Sequence, residues 1–480
     1  MRTTRPILVA LLVPLIVLLP APASAARGLV WAACEDDPTA QCATLRVPIK
    51  PGDGYGRKVP IAIARRVATQ PARRIGVLVV NPGGPGGSGV DMVLGAEKFF
   101  SAEVRARFDI VGFDPRGVGR SNPVVCARSL LDAEPSPLVA GKSAYRKLRI
   151  FHRRLTEDCA RRTGPLFRHA DTISVARDMD RLRRALGEEQ ITFYGASYGT
   201  LLGAQYASIH PRRARAVVLD SVMDHSVSAR EFLAEGTAAV EDAFDEFVSW
   251  CARSDDCILR GRNVRALWAT VLARAAAGTL IDPYRPGFRP NEFDVLDVAF
   301  GSFYDPQFAS LATYIHDVLA DAPATRSRAP ATEENSFPAI FCADFSFPSV
   351  GYDSYARRLR SLRATAPSMR VSSLALSSAV ACLGPTGPVA NPQRRFRRTS
   401  VPTLVVGSKH DPATPYVWAT RVADQLGPSA TLATYDGWGH VSYGRTPCIT
   451  DLMDRFLVAL ARPAPGATCP GVIPPAFGVG

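Results

Sequence analysis

The sequence lacks three motifs that would each point to a different chemistry. It has no HExxH motif, no CxxC pair and no G-x-x-x-x-G-K-[ST] motif. The first two absences remove the sequence support for a zincin or a structural zinc site, and the third removes the phosphate-binding loop of nucleotide hydrolases. No metal or organic cofactor is implied. After residue 25 no stretch reaches about 18 uninterrupted apolar residues, so we expect no membrane-spanning segment in the mature chain.

Lysine is also scarce, since only six of the 57 basic residues are lysine. The net charge is +13, but a broad arginine excess is typical of compositional bias rather than of a nucleic-acid-binding face. The run "QRRFRR" at 393–398 is most simply a solvated loop. Because no nucleic-acid-binding motif accompanies the charge, we predict no nucleic-acid partner.

The first 25 residues have the pattern of a secretory signal. Arg2 and Arg5 form a basic start, residues 6–20 are apolar, and "ASA" at 23–25 is a small-residue cleavage site. The alternative is an N-terminal membrane anchor. No cysteine follows the cleavage site until Cys34, which argues against a lipid anchor. We therefore predict a secreted, extracellular protein after cleavage near Ala25.

The ten cysteines are an even number and all follow residue 25, which in an exported protein suggests disulfides. Their connectivity does not follow from the sequence. Pairing sequence neighbours would give Cys34–Cys42, Cys126–Cys159, Cys251–Cys257, Cys342–Cys382 and Cys448–Cys469, of which Cys251–Cys257 closes the shortest loop.

Apolar strand patterns alternate with helical patterns along much of the chain. "ATLRVPIK" and "KVPIAIARRVA" read as an early hairpin, and "IGVLVV", "FDIVGF", "ITFYG" and "ARAVVLDSV" read as buried strands. Apolar residues at helical spacing lie between them, as in "SVARDMDRLRRALG". This alternation predicts an α/β fold around a mostly parallel central sheet.

The strand pattern stops at about residue 224 and returns at about residue 398. The stretch between is helical and loop-like, with prolines concentrated at 283–290 and 322–338. We predict a signal segment at 1–25, a first core part at 26–224, a mainly helical cap at 225–397 and a second core part at 398–480. The two core parts are expected to form one domain.

The most specific motif is G-x-S-x-G at 195–199, "GASYG", between an apolar strand and a helix. This context is the one that a nucleophile elbow requires, because a strained turn there holds the serine hydroxyl at the edge of the sheet. We predict that Ser197 is the nucleophile.

A serine nucleophile needs a base and an acid. In this fold the acid, Asp or Glu, follows the serine along the chain, and the histidine base comes last. "TLVVGSKHDPATP" places Asp411 after a late strand, and "TYDGWGH" places His440 after the last one. His440 would accept the proton of Ser197, and Asp411 would fix its tautomer. Asp436 is an alternative acid but is more easily a turn residue, and His410 is an alternative base next to Asp411.

The other five histidines have no motif around them and are expected to be structural: His152, His169, His210, His225 and His316. His225 and His316 fall in the predicted cap, where a substrate contact is the alternative.

A glycine-rich loop, "NPGGPGGSG" at 81–89, follows an earlier strand of the same sheet. Gly84, Gly86 and Gly89 match the dinucleotide-binding spacing, but such a match is cheap in so glycine-rich a run. Acyl transfer needs two N–H donors for the developing oxyanion. One would be Tyr198, after the nucleophile, and the other would come from this loop. No role for Asn81 follows.

Together "NPGGPGGSG", "FDPRGVGRS", "GASYG", "GSKHDPATP" and "GWGH" resemble the proline iminopeptidase family of α/β-hydrolases, in particular secreted tripeptidyl aminopeptidases. The resemblance covers most of the mature chain. It implies an exported serine exopeptidase with a helical cap, the triad Ser197, Asp411 and His440, and oxyanion donors at Gly84 and Tyr198. In many relatives a histidine replaces Asn81, and a Trp-Pro pair follows the second cap cysteine where this chain has "CLGPTGP".

An exopeptidase must recognise a free α-ammonium, which calls for a carboxylate in the cap. The resemblance points to Asp344 in "AIFCADF", and Glu231 and Glu235 are rivals. A solvated surface charge is the alternative for each.

The leading hypothesis is a secreted serine exopeptidase that releases short peptides, tripeptides first, from free N-termini through an acyl-enzyme. The alternatives are a carboxylesterase or lipase with the same triad and, more remotely, a non-catalytic binding protein on a hydrolase scaffold. Peptides are the predicted partners, and the oligomeric state is not predicted.

Overall fold

The computed structural model describes residues 28–50, 52–53, 55–285, 287–320, 332–348, 350–384 and 388–472. The predicted signal segment at 1–25 lies outside the described residues. Among the helices that are described, none is long and apolar enough to cross a membrane.

A ten-stranded sheet forms the centre of the molecule, in the order β1-β2-β3-β5-β4-β7-β8-β10-β11-β12. The first three strands and β5 pair antiparallel, and every later pair is parallel. The strands, including β6 and β9 of a separate two-stranded sheet, are β1 Ala32–Ala33, β2 Gln41–Pro48, β3 Lys58–Arg66, β4 Gly76–Asn81, β5 Phe108–Phe113, β6 Val125–Ala127, β7 Ile191–Ala196, β8 Ala214–Asp220, β9 Thr332–Glu334, β10 Thr403–His410, β11 Ala430–Trp438 and β12 Thr468–Pro470.

Helices pack against this sheet and also form the segment between β8 and β10. They are α1 Gly89–Leu94, α2 Ala96–Phe99, α3 Ala102–Arg107, α4 Arg128–Leu131, α5 Lys142–Thr163, α6 Thr172–Ala185, α7 Gly199–Ile209, α8 Ala229–Arg253, α9 Val264–Ala276, α10 Glu292–Tyr304, α11 Phe308–Ala320, α12 Ser336–Asp344, α13 Tyr352–Thr365, α14 Ser373–Ala381, α15 Tyr416–Leu426 and α16 Pro447–Ala459. Short 3₁₀ turns span Pro71–Arg73, Gly164–His169 and Pro211–Arg213.

The predicted α/β fold is confirmed. Every residue of β7 is buried, as are nearly all of β4 and β8, because parallel strands covered by helices on both faces need continuous apolar runs. The predicted early hairpin is β2 and β3, which pair antiparallel from Gln41↔Arg65 to Pro48↔Lys58. The polar–apolar alternation of β3 fits its place towards the edge of the sheet.

The helices α8 to α14 lie between β8 and β10 and form the cap. Helix α8 begins with a capping box in which Ser228 and Glu231 bond each other's backbone N–H groups. Strand β9 belongs to the cap segment and pairs antiparallel with β6, next to the core. This architecture agrees with an insertion into one core, although the predicted boundaries at 224/225 and 397/398 stay predictions.

The ten cysteines form five disulfides: Cys34–Cys42, Cys126–Cys159, Cys251–Cys257, Cys342–Cys382 and Cys448–Cys469. This is the arrangement that pairing sequence neighbours gives. Cys342–Cys382 links α12 to the residue after α14 within the cap, and Cys448–Cys469 ties α16 to β12.

Candidate active site

The turn from β7 to α7 holds Ser197 in a left-handed conformation, with φ of 56°. Its two flanking glycines allow close approach: a Cβ on Gly195 would lie 2.5 Å from the Gly199 carbonyl oxygen, and one on Gly199 would lie 2.5 Å from the Asn81 carbonyl oxygen. This strained strand–turn–helix is the geometry of a nucleophile elbow. Ser197 is 8% exposed.

The glycine loop after β4 lies directly against this elbow. Gly83, Gly84 and Gly86 have φ of 89°, 105° and 108°, which side chains with a Cβ rarely adopt. A Cβ on Gly83 would come within 2.7 Å of the Tyr198 backbone nitrogen. The loop therefore runs beside the predicted oxyanion donor.

Asn81, to which the sequence assigned no role, shapes this loop. Its side-chain oxygen accepts a hydrogen bond of 3.0 Å from the Gly83 backbone N–H, and Asn81 is 5% exposed. The amide thereby fixes the first turn of the loop, as asparagine side chains commonly do.

Asp411 and His440 lie together after β10 and β11. His440 Nδ1 is 2.9 Å from Oδ2 and 3.0 Å from Oδ1 of Asp411, and both side chains are buried. The backbone N–H groups of Ala413 and Thr414 donate to Oδ1, and the Thr414 hydroxyl donates to Oδ2. Burial raises the pKa of Asp411, but the His440 charge and these hydrogen bonds outweigh it and hold the pKa below its usual value.

The end of β8 fixes the loop that carries His440. The Asp220 carboxylate accepts the N–H groups of Ser442 and Tyr443 at 2.9 and 3.0 Å, and the Ser221 hydroxyl accepts that of Val441 at 2.8 Å. The Asp220 carbonyl accepts the Ser197 N–H at 2.8 Å. One residue of β8 thus contacts both the elbow and the histidine loop.

The cap reaches the same place through Tyr304, the last residue of α10. Its carbonyl accepts the His440 N–H at 2.8 Å, and its ring centroid is 4.5 Å from that of the imidazole. Desolvation of the Tyr304 hydroxyl, with the nearby charge of Asp411, raises the pKa of Tyr304 to about 12, and the Ser197 side chain opposes this shift. His440 Nε2 is buried and has no hydrogen-bond partner within the described part of the chain.

The alternative triad residues are engaged elsewhere or exposed. Asp436 is exposed and is not the carboxylate that bonds His440. His410 Nδ1 bonds Asp242 of α8 at 2.8 Å. Burial lowers the pKa values of His152 and His225 to about 4, as expected for neutral structural histidines.

The structure does not support Asp344 as an amine-binding group, because no surface of this residue is exposed. Its carboxylate accepts hydrogen bonds from Thr172, Tyr198 and Asn391. A substrate ammonium would have to displace these protein donors, so the prediction from family resemblance fails on burial.

The two rival acids lie on α8 and also have partners. Glu231 is exposed and caps the helix through Ser228. Glu235 accepts hydrogen bonds from Trp418 and Arg421 of α15. Both therefore link or begin structural elements.

Sequence reasoning missed Tyr304 and Asp220, which border the site without belonging to any motif. Tyr304 ends a cap helix, and its contact with His440 depends on how the cap lies on the core. Asp220 ends an apolar strand, and only the strand order places it beside the histidine loop. In the described residues, no cluster of histidine, cysteine and acidic side chains suits a metal ion.

The chain is similar in sequence to known proteins. A family model described as the alpha/beta hydrolase fold matches residues 76–445. The chain is 30% identical to the serine protease Hip1 of Mycobacterium tuberculosis over 463 residues. This alignment covers 90% of this chain and 87% of that protein. The chain is 31% identical to a tripeptidyl aminopeptidase of Streptomyces lividans, over 94% and 88% of the two chains. It is also 32% identical to carboxylesterase B of M. tuberculosis, over 90% and 86%.

Proposed function

The chain belongs to the α/β-hydrolase family, and we propose that it is a serine peptidase that removes short peptides from free N-termini. The observation that carries the proposal is the buried Asp411–His440 pair at the same sheet edge as the strained elbow of Ser197. Relatives named as a serine protease and a tripeptidyl aminopeptidase support the peptidase assignment.

In the proposed reaction, Ser197 Oγ attacks the scissile carbonyl carbon while His440 Nε2 accepts its proton. The carbonyl oxygen takes the negative charge and accepts hydrogen bonds from the backbone N–H groups of Tyr198 and Gly84. His440 then gives the proton to the leaving nitrogen as the C–N bond breaks, which leaves an acyl group on Ser197.

Water completes the cycle by the same route. His440 accepts a proton as the water oxygen attacks the acyl carbon, and it returns that proton to Ser197 Oγ as the peptide acid departs. Asp411 remains ionised throughout and stabilises the imidazolium, in keeping with its lowered pKa.

We propose Glu334, in addition to Glu231 and Glu235, as a residue that could bind the substrate ammonium. Glu334 is exposed, and its Oε1 accepts hydrogen bonds of 2.9 Å from the Ser336 hydroxyl and the Gly119 N–H. Ser336 in turn packs on Gly86 of the glycine loop, where an added Cβ would lie 2.9 Å from its hydroxyl oxygen. This places a cap carboxylate next to the predicted oxyanion loop.

Release of tripeptides and secretion are the finer parts of this proposal. The tripeptide product is supported by the name of the Streptomyces relative. Secretion is supported by five disulfides, which persist in oxidising compartments, and by the signal-like pattern at 1–25.

A carboxylesterase is the second candidate, because a relative of that name matches at 32% identity. The test uses p-nitroanilides of a tripeptide with a free N-terminus, of its acetylated form, and of di- and tetrapeptides, together with p-nitrophenyl acetate and butyrate. The proposal expects the free tripeptide to give the highest kcat/KM. Acetylated peptide cleaved as fast as free peptide would exclude an exopeptidase, and ester cleavage alone would favour the esterase.

The same assays on Ser197→Ala test the nucleophile. Ser208→Ala is a matched control on α7, the helix that follows Ser197, because the Ser208 hydroxyl bonds only the Ala204 carbonyl among its described contacts. Loss of activity in the first variant and retention in the second supports Ser197; equal activity in both contradicts the assignment.

A further inference from the structure

Asp344 is the last residue of α12 and lies at a junction between the cap and the elbow. Its carboxylate accepts the Tyr198 hydroxyl at 2.8 Å, the Thr172 N–H at 3.0 Å and the Asn391 side-chain amide at 2.8 Å. The Thr172 hydroxyl also donates to it. Four donors from three separate segments of the chain therefore converge on one buried carboxylate.

The backbone around Asp344 strengthens the same junction. Its carbonyl oxygen bonds His225 Nε2 at 2.8 Å, and the neighbouring Ala343 carbonyl accepts the Asn391 N–H at 2.9 Å. Cys342, two residues earlier, is in a disulfide with Cys382. The carboxylate is thus held in place independently of Tyr198.

Tyr198 is the residue whose backbone N–H is the proposed oxyanion donor, and its ring is clamped from the cap. The ring centroids of Phe341 and Phe345, on and just after α12, each lie 6.3 Å from that of Tyr198. Tyr198 is 5% exposed, and buried polar groups need a partner, so the hydrogen bond to the Asp344 carboxylate satisfies its hydroxyl.

We propose that Asp344 is a positioning residue, which holds the Tyr198 side chain so that the Tyr198 backbone N–H points at the oxyanion. This inference rests on the proposed function, because it assumes that the Tyr198 N–H is used in acyl transfer. It replaces the amine-binding role that the family resemblance suggested for Asp344.

The two roles for Asp344 make opposite predictions about substrates. A positioning residue acts on every acyl group that enters the oxyanion hole, so its loss lowers kcat for peptide and ester alike. An amine anchor acts only on substrates with a free ammonium, so its loss raises KM for the free peptide and leaves the ester unaffected.

The experiment compares wild type, Asp344→Asn, Tyr198→Phe and the double variant on a free tripeptide p-nitroanilide and on p-nitrophenyl acetate. We expect Asp344→Asn to lower kcat by about 10- to 100-fold on both substrates, less than loss of an oxyanion donor itself, with KM changed less than about threefold. Because both single changes alter the same hydrogen bond between Asp344 and Tyr198, the double variant should lose little more than either one.

Asp224→Asn is the matched control, since Asp224 is also fully buried but bonds Arg421 and Gln425 rather than Tyr198. Near-ultraviolet circular dichroism checks that each variant is folded. If Asp344→Asn does not fold, Tyr198→Phe, which keeps the ring and the carboxylate, carries the test alone.

Three outcomes overturn the inference: loss confined to the free peptide, wild-type kcat in both single variants, or multiplicative losses in the double variant. Failure of the proposed function is a different result, namely a Ser197→Ala variant that still hydrolyses both substrates. An inactive Ser197→Ala variant with a fully active Asp344→Asn variant would reject only the positioning role.

Discussion

Two buried aspartates border the candidate active site, and their surroundings differ. Asp411 lies in the core next to His440, a group that can carry a positive charge, and its pKa is lowered although burial opposes this. Asp344 lies in the cap among neutral donors, and burial raises its pKa to about 7, with the hydrogen bonds from Thr172 and Asn391 opposing. Equal burial thus gives opposite shifts, because only one carboxylate has a cationic partner.

The opposite pKa shifts of Asp411 and Asp344 indicate two different roles for carboxylates in one site. A carboxylate that stays ionised can stabilise an imidazolium during proton transfer. A carboxylate that only collects neutral donors organises the chain around it. The cap therefore contributes to the site by holding Tyr198 through Asp344 and His440 through Tyr304.

The largest effect is expected from Asp411→Asn, which removes the ionised carboxylate beside His440. We expect kcat to fall by about 10⁴-fold, because asparagine presents an N–H to His440 and favours the wrong imidazole tautomer. The peptidase assay at pH 7 measures this. The control is Asp436→Asn, which changes an exposed residue near the end of β11 and should retain wild-type activity. A loss of kcat in Asp436→Asn as large as that in Asp411→Asn would contradict the choice of Asp411 over Asp436 as the acid.

The stability of the protein should depend on pH through Asp344 in a direction opposite to that of Asp411. The folded pKa of about 7 exceeds the ordinary value of 3.8, so the folded state binds more protons between about pH 4 and pH 7. The Asp344 contribution to the unfolding free energy therefore falls as pH rises through this window, by at most about 1.4 kcal/mol per pH unit.

Urea unfolding of wild type and Asp344→Asn at pH 4.5, 5.5 and 6.5 isolates this contribution. The stability deficit of the variant relative to wild type should shrink as pH rises. A deficit that grows with pH would mean that Asp344 is ionised at low pH, like Asp411.

Tyr304→Phe tests the second contact between cap and core. It keeps the ring on His440 but removes the hydroxyl, whose pKa the Ser197 side chain influences; a neutral hydrogen bond between the two hydroxyls would be worth about 1 kcal/mol, or about fivefold. We expect Ser197 to react about fivefold faster with a small fluorophosphonate, because its hydroxyl is free to bond His440. Slower labelling would instead mean that the Tyr304 hydroxyl assists the reaction.

The smallest effect on stability is expected from the ion pair between His410 and Asp242 of α8. Burial lowers the pKa of His410, but the bond and charge of Asp242 outweigh it and raise the pKa above 6.5. The pair's contribution is then fully present below pH 6.5 and is lost as pH rises through the raised pKa. Asp242 is half exposed, so we expect at most about 1 kcal/mol, measured as the difference in unfolding free energy between wild type and Asp242→Asn at pH 6 and 9.

The core could be predicted from the sequence because its signals are local. Apolar runs identified the buried strands, and G-x-S-x-G between a strand and a helix identified the elbow. Chain order then placed Asp411 and His440 after late strands, where the structure finds them in contact.

The cap contribution could not be predicted because it depends on contacts between distant segments. Asp344 is an acidic residue in the expected part of the cap, but its distance from solvent is set by Thr172, Tyr198 and Asn391, which are far apart in sequence. A family resemblance can indicate that such a residue matters. It cannot distinguish a carboxylate that faces the substrate from one that faces the protein.

Mass spectrometry after labelling with a fluorophosphonate tests most directly whether Ser197 is the nucleophile and His440 its base. We expect one adduct per chain, on the tryptic peptide that contains Ser197, with loss of peptide hydrolysis in proportion to labelling. We expect no adduct when His440→Ala is labelled under the same conditions. Full peptide hydrolysis with no adduct on Ser197, or with the adduct on another residue, would contradict the assignment of Ser197 as the nucleophile.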